Sequence, residues 1–142
     1  MKKHAAVMLI LMVAGLTGLL QAQSGTTIIA DVPFNYMANG KTMPAGEVRV
    51  RIENDGEALL RIASGGVQAM ATPRVEDSRE ANDATVLVFH RYGQRYFLAG
   101  AGREGQNLSY ELPVGSLEKE LQQSNVEEKT LRLVASIRLQ EK

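Results

Sequence analysis

Outside the N-terminal stretch the chain has one imidazole, His90. As a general base it needs a nucleophile and an orienting carboxylate. No G-x-S-x-G elbow supplies the first, and the candidate acids, such as Asp77 and Asp83, stand in an unpatterned loop. A single His also falls short of a zinc ligand set, and H-E-x-x-H is absent. With no Cys, a thiolate metal site, a Cys nucleophile, a disulfide framework and a lipid-modified N-terminal Cys are all excluded. These absences favour a structural, hydrogen-bonding role for His90, with no metal and no cofactor. The alternative is a small hydrolase that pairs His90 with Asp77 or Asp83.

Two further strings could carry chemistry. Gly100-Ala101-Gly102-Arg103-Glu104-Gly105 matches G-x-G-x-x-G, but a dinucleotide site needs those glycines between a strand and a helix. Gln106 to Tyr110 is not a helical pattern, so a glycine-rich strand end or bulge is expected. Asn107-Leu108-Ser109 fits the glycosylation string, read here as chance. The segment richest in recognition chemistry is Thr85 to Ala101, a hairpin expected to turn at Tyr92-Gly93 and to pair His90 with Arg95 and Phe89 with Tyr96. Leu87, Phe89, Tyr96 and Leu98 then share one face, and Val86, Val88, Phe97 and Ala99 the other. Strands apolar on both sides are central ones. The tip would present Tyr92 with His90, Arg91 and Arg95, aromatic area and Arg donors on a rigid ladder, which suits a ligand or partner site.

The elements that hold these residues follow from periodicity. Of 142 residues 44% are hydrophobic, enough for a packed core, and 16 basic side chains balance 16 acidic ones. Charge balance leaves no footprint for nucleic acid. Lys2, Lys3 and His4 precede an uncharged run from Ala5 to Leu20, too short for a membrane anchor at roughly 20 residues, and Ala22 follows. This is the order of an export signal, with cleavage expected between Ala22 and Gln23. Cleavage removes Lys2 and Lys3 from the 16 basic residues and leaves 14 against 16 acidic ones. The expected product is a mildly acidic single domain, residues 23–142, with no membrane span, located in the periplasm or secreted.

From Thr26 onward the period is two, and turn residues recur at antiparallel intervals. Glu47 to Glu53 alternates without fault. A three-residue loop, Asn54-Asp55-Gly56, would pair Val50 with Leu60 and Val48 with Ile62, at the cost of a Glu53/Glu57 like-charge pair. Arg49, Arg51 and Arg61 line the outer side of this hairpin and read as a solvated face. Val67 to Val75 alternates up to Pro73, where a strand must end, bulge or lie at an edge. Glu76 to Ala84 reads as an exposed loop. Ser116 could cap a short helix from Leu117 to about Gln123, with Leu117 and Leu121 as its apolar stripe. Leu131, Leu133, Ala135, Ile137 and Leu139 alternate along one last strand. Seven to nine strands with one short helix predict an all-β fold, an antiparallel β-sandwich or a small closed barrel. Its core should include Val48, Val50, Ile52, Leu60, Ile62, Leu131, Leu133 and Ile137.

Asp31 to Gly46, with Val32-Pro33-Phe34 and Pro44-Ala45-Gly46, and Leu87 to Leu98, with Phe89-His90-Arg91-Tyr92-Gly93 and Arg95-Tyr96-Phe97-Leu98, resemble a family of short exported bacterial proteins of unassigned function. Leu112-Pro113 before the short helix adds to the likeness, whereas Glu47-Val48 departs from the aromatic that often follows the Pro-Ala-Gly turn. The resemblance implies export and one domain, and it brings no catalytic residue. The expectation is a non-catalytic envelope or secreted module that binds a ligand or envelope partner or serves a structural role.

Overall fold

The computed structural model describes residues 26–139. The expected export signal, residues 1–22 with its boundary at Ala22 and Gln23, lies outside the described residues. Two antiparallel sheets stack face to face. The first contains β1 (Thr26–Val32), β4 (Gly46–Asp55), β5 (Glu57–Ser64), β6 (Val67–Ala71) and β12 (Ser136–Leu139), in the order β12-β1-β4-β5-β6. The second runs β11-β8-β9-β10-β7, from β7 (Arg74–Asp77), β8 (Val86–Tyr92), β9 (Arg95–Gly102), β10 (Leu108–Glu111) and β11 (Glu128–Val134). A small hairpin, β2 (Tyr36–Ala38) and β3 (Lys41–Met43), joins it through a parallel contact of β2 with β9. One helix, α1 (Ser116–Gln123), completes the described residues. The sheets are not closed into a barrel, so of the two expected architectures the sandwich is the one adopted.

More strands appear than the pattern predicts: β3 and β10 are additional short strands, and two uniform runs are each divided between the sheets. At Pro73, which is buried, the run from Val67 leaves the first sheet as β6 and enters the second as β7. At Ala135 the last run passes from β11 to β12, and the Ala135 N–H donates to the Thr85 carbonyl at 2.8 Å. Pro73 announces its break by lacking an N–H. Ala135 carries no such signal, which is why the final run reads as one strand.

Val48, Val50, Ile52, Leu60 and Ile62 are buried as predicted, and Leu131 and Leu133 pack half-buried against the same core. Ile137 is a correction: it is 37% exposed. It sits opposite Ile28 on the edge strand β12, where no further strand covers its outer side.

The first hairpin keeps its expected faces but slips by two residues. Val50 opposes Ile62 and Ile52 opposes Leu60, around a tight turn at Gly56, whose φ is +89°. An even slip leaves the alternation of faces unchanged, so apolar patterning cannot choose between these registers. The observed one sets Glu53 opposite Leu59 in place of Glu57, and Glu53 Oε1 reaches Arg61 Nε at 2.9 Å. It also places Ser64 where its Oγ donates to the Pro44 carbonyl at 2.8 Å.

Asn39-Gly40 and Gly65-Gly66 both take positive φ, as two-residue hairpin turns matched to strand twist require. At Gly65 an added Cβ would meet Pro44 Cγ at 2.6 Å, whereas at Gly66 it would meet open space. Both alanine variants suffer the left-handed backbone penalty of about 1 kcal/mol, but only Gly65→Ala adds a steric clash. Urea unfolding should show Gly65→Ala to be the less stable by at least about 1 kcal/mol; equal midpoints would contradict this packing.

Candidate functional site

The second hairpin turns at Gly93-Gln94, one residue later than expected, with Gly93 at φ +63°. Tyr92 therefore opposes Arg95, His90 opposes Phe97 and Phe89 opposes Leu98. The later turn puts glycine where positive φ is needed. Beyond Phe89 the ladder slips, because Val88 opposes Gly100 and leaves Ala99 as an extra residue. Tyr92 is thus inside a strand and only 2% exposed, which overturns the expectation of an aromatic at an exposed tip. Alternation sends its neighbour to the other face, where the Arg91 guanidinium lies 5.6 Å from the Tyr96 ring centre. Arg95 is exposed. The four predicted site residues do not form one surface.

His90 and Tyr92 instead meet the helix. Glu118 is buried beneath it, with Oε2 accepting from the Tyr92 hydroxyl at 3.2 Å and lying 3.1 Å from His90 Nδ1. Gln122, one turn on, donates to the Tyr92 oxygen at 3.2 Å. Glu128 Oε1 reaches His90 Nδ1 at 3.5 Å from the exposed side. The expected leucine stripe is therefore secondary: Leu117 and Leu121 are half-buried while the acid is inside. Ser116 is the first helical residue and Gly115 the cap, so no side-chain oxygen caps this end.

The carboxylates that His90 meets are Glu118 and Glu128, not Asp77 or Asp83. Ser109 lines the same shallow groove of about 280 Å³ as His90. It stands on the rung of Val86 and Gly102, however, which puts it about 13 Å along the strands and about 10 Å across them from His90. The G-x-G-x-x-G string is strand packing. A Cβ at Gly100 would come within 2.7 Å of the Tyr110 carbonyl, and one at Gly102 would press on the Asn82 side chain. Among the described residues no three His, Asp or Glu side chains converge as a metal site.

A concavity with a volume of about 710 Å³ lies on the outer face of the first sheet. Two rungs build it. Arg138, Thr27, Arg51, Arg61 and Met70 are consecutive cross-strand partners through β12, β1, β4, β5 and β6. The adjoining rung runs Ser136, Ile29, Arg49, Ala63 and Gln68. Lys41 leans in from the small hairpin, where its Nζ donates to the Gln68 carbonyl at 2.9 Å. Five cations line the groove, and among the described residues no carboxylate does. Glu47 and Glu53 stand outside that lining, on Arg49 at 3.0 Å and on Arg61 at 2.9 Å. Arg51 Nε is shielded from solvent and only 3.5 Å from Glu53 Oε1, without a hydrogen bond.

The reading of Arg49, Arg51 and Arg61 as a merely solvated face missed this groove. Their spacing showed a charged strand face, but Lys41 and Arg138 join it only through tertiary contacts. Compared with protein-family models, curated proteins and solved structures, the chain matches none.

Burial pushes the Tyr92 hydroxyl from its ordinary value near 10 up to about 12, with the Gln122 hydrogen bond opposing and the Glu118 charge adding to the rise. Burial likewise raises Tyr36, with Ser64 acting against it. A raised folded pKa on an acid favours its neutral form, so the stabilisation is complete below pH 10 and declines as pH climbs from 10 through 12. Urea titrations should show wild type losing stability across that window and Tyr92→Phe losing less, Tyr36 accounting for the remainder. At pH 7 the same variant should be about 1–3 kcal/mol less stable, since Glu118 loses a buried donor.

Proposed function

We propose that the chain is an exported, non-catalytic binding module of the periplasm or external medium, and that its working surface is the arginine-lined groove of the first sheet. The single observation that carries this reading is the convergence of five cations, from β4, β5, β12 and the small hairpin's β3, on one concavity. Like charges on directly opposed strand positions, as at Arg51 and Arg61, are destabilising. A fold that holds them together around an open volume suits a bound anion better than it suits stability. The groove's volume is that of a small-molecule site. Export rests on the basic start, the short apolar run and Ala22, and on the resemblance to short exported bacterial proteins. Among the described residues no helix is long and apolar enough to cross a membrane.

A hydrolase is the second reading, and the observation in its favour is the Glu118–His90 pair, which resembles the orienting half of an acid–base site. Ser109, the serine that shares a groove with His90, lies too far along and across the strands to serve that pair as a nucleophile. Tyr92 and Gln122 bind the same cluster as part of the helix anchor.

N-terminal sequencing of the exported protein should begin at Gln23; the intact Met1 form in the inner membrane would refute the address. Native mass spectrometry of protein recovered from the exported fraction, after exposure to an envelope extract, should show a bound small molecule. The charge reversal Arg61→Glu should lose it. Retention of the same mass by Arg61→Glu, or bare protein in both spectra, would refute the groove.

A further inference from the structure

We infer that the groove takes one amphipathic anion, a single carboxylate or phosphate head on an aliphatic chain, an identification that rests on the binding role proposed for that surface. The head is specified by charge. Arg51 and Arg61 are cross-strand partners that share one counterion, since Glu53 Oε1 lies 2.9 Å from Arg61 Nε and 3.5 Å from Arg51 Nε. Among the described residues Glu53 is the one carboxylate paired with these two guanidinium charges, and Arg51 Nε has no hydrogen bond. Guanidinium forks pair with carboxylate or phosphate oxygens through two parallel hydrogen bonds. Arg138 lies on the same rung, three strand spacings or about 14 Å from Arg61.

The tail is specified by what lies between and beside these charges. Ile29 and Ala63 are on the adjoining rung, and Met70, 49% exposed, closes the β6 side. Methionine moulds itself to an irregular aliphatic surface. No aromatic side chain lines the groove, so nothing offers a stacking platform for a sugar ring or a base. A long polyanion is also disfavoured, because Glu47 and Glu53 flank the cations and the whole chain has balanced charge. The concavity has the volume of a small-molecule site, whereas a flat bilayer would meet only its rim.

The experiment is isothermal titration of the exported protein with dodecyl phosphate and dodecanoate below their micelle concentrations. Inorganic phosphate, octyl glucoside and phosphatidylglycerol vesicles serve as comparison probes. At least one of the two alkyl anions should bind, with inorganic phosphate and octyl glucoside each weaker by at least tenfold. Arg51→Gln should weaken the alkyl anion about tenfold, the loss of one charge-assisted pairing. Met70→Asn should weaken it too, and Arg95→Gln, on the other sheet, should not. Unchanged circular dichroism identifies variants that remain folded, and Arg61→Gln replaces Arg51→Gln should the latter not fold. Equal binding of octyl glucoside overturns the anionic head, and equal binding of inorganic phosphate overturns the aliphatic tail. Binding to vesicles without binding to monomeric amphiphile overturns the single-molecule occupant. If Arg61→Glu abolishes the native mass adduct yet neither alkyl anion binds, the ligand class is refuted while the groove stands as a binding site.

Discussion

Where the chain first passes from one sheet to the other, Phe34 stacks on Tyr96 with ring centres 3.8 Å apart and meets Phe89 edge-on at 5.1 Å. Tyr36, two residues on, also meets Phe89 edge-on, at 5.3 Å. This cluster fixes how the sheets face one another, because Phe34 and Tyr36 flank the crossing while Phe89 and Tyr96 belong to the central hairpin of the second sheet. Each such pair contributes roughly 0.5–1.5 kcal/mol beyond the apolar area it buries. Val32-Pro33-Phe34 and the Phe89 to Leu98 hairpin are therefore one packing unit. The Pro-Ala-Gly turn is tied in as well, since Asn35 Oδ1 accepts from the Ala45 N–H at 2.8 Å.

The second sheet buries apolar groups on its inner side and a polar cluster on its outer side. Glu118 sits under a helix of only eight residues, which by itself would be marginal in water. Burying a carboxylate is costly unless it is hydrogen-bonded, and here Tyr92 and His90 both meet the same oxygen. The cluster positions the helix against β8 through direction and distance, where leucines alone would permit sliding. Phe97 packs edge-on against the Tyr92 ring, with ring centres 5.7 Å apart.

On the first sheet the edge strand β6 is guarded by the small hairpin. Asn39 Nδ2 donates to the Met70 carbonyl at 2.6 Å and Lys41 Nζ to that of Gln68. Outward carbonyls that would otherwise template another strand are thereby occupied. The same contacts bring Lys41 to the rim of the groove, so protecting the edge and charging the concavity are accomplished by one turn, Asn39-Gly40.

Strand identity, face membership and the presence of one short helix were legible in the residues themselves, because a period of two is a local property and survives any even change of register. Glu47 to Glu53 announced its buried and exposed sides without reference to its partner. What alternation cannot encode is which of two even registers is chosen; both hairpins slipped by two, selected by Gly56 and Gly93 accepting positive φ and by contacts at Ser64 and Tyr92. Nor can it show where a uniform run such as Leu131 to Leu139 changes sheets, since Ala135 has no backbone peculiarity and the break comes from a hydrogen bond to Thr85. The candidate site divides in the same way. Tyr92, conspicuous in sequence, is drawn inside by a carboxylate 26 residues away. Arg51, plain in sequence, acquires its setting only when Arg138 and Lys41 arrive from distant elements, because an electrostatic field depends on separations in space and the chain records only separations along itself.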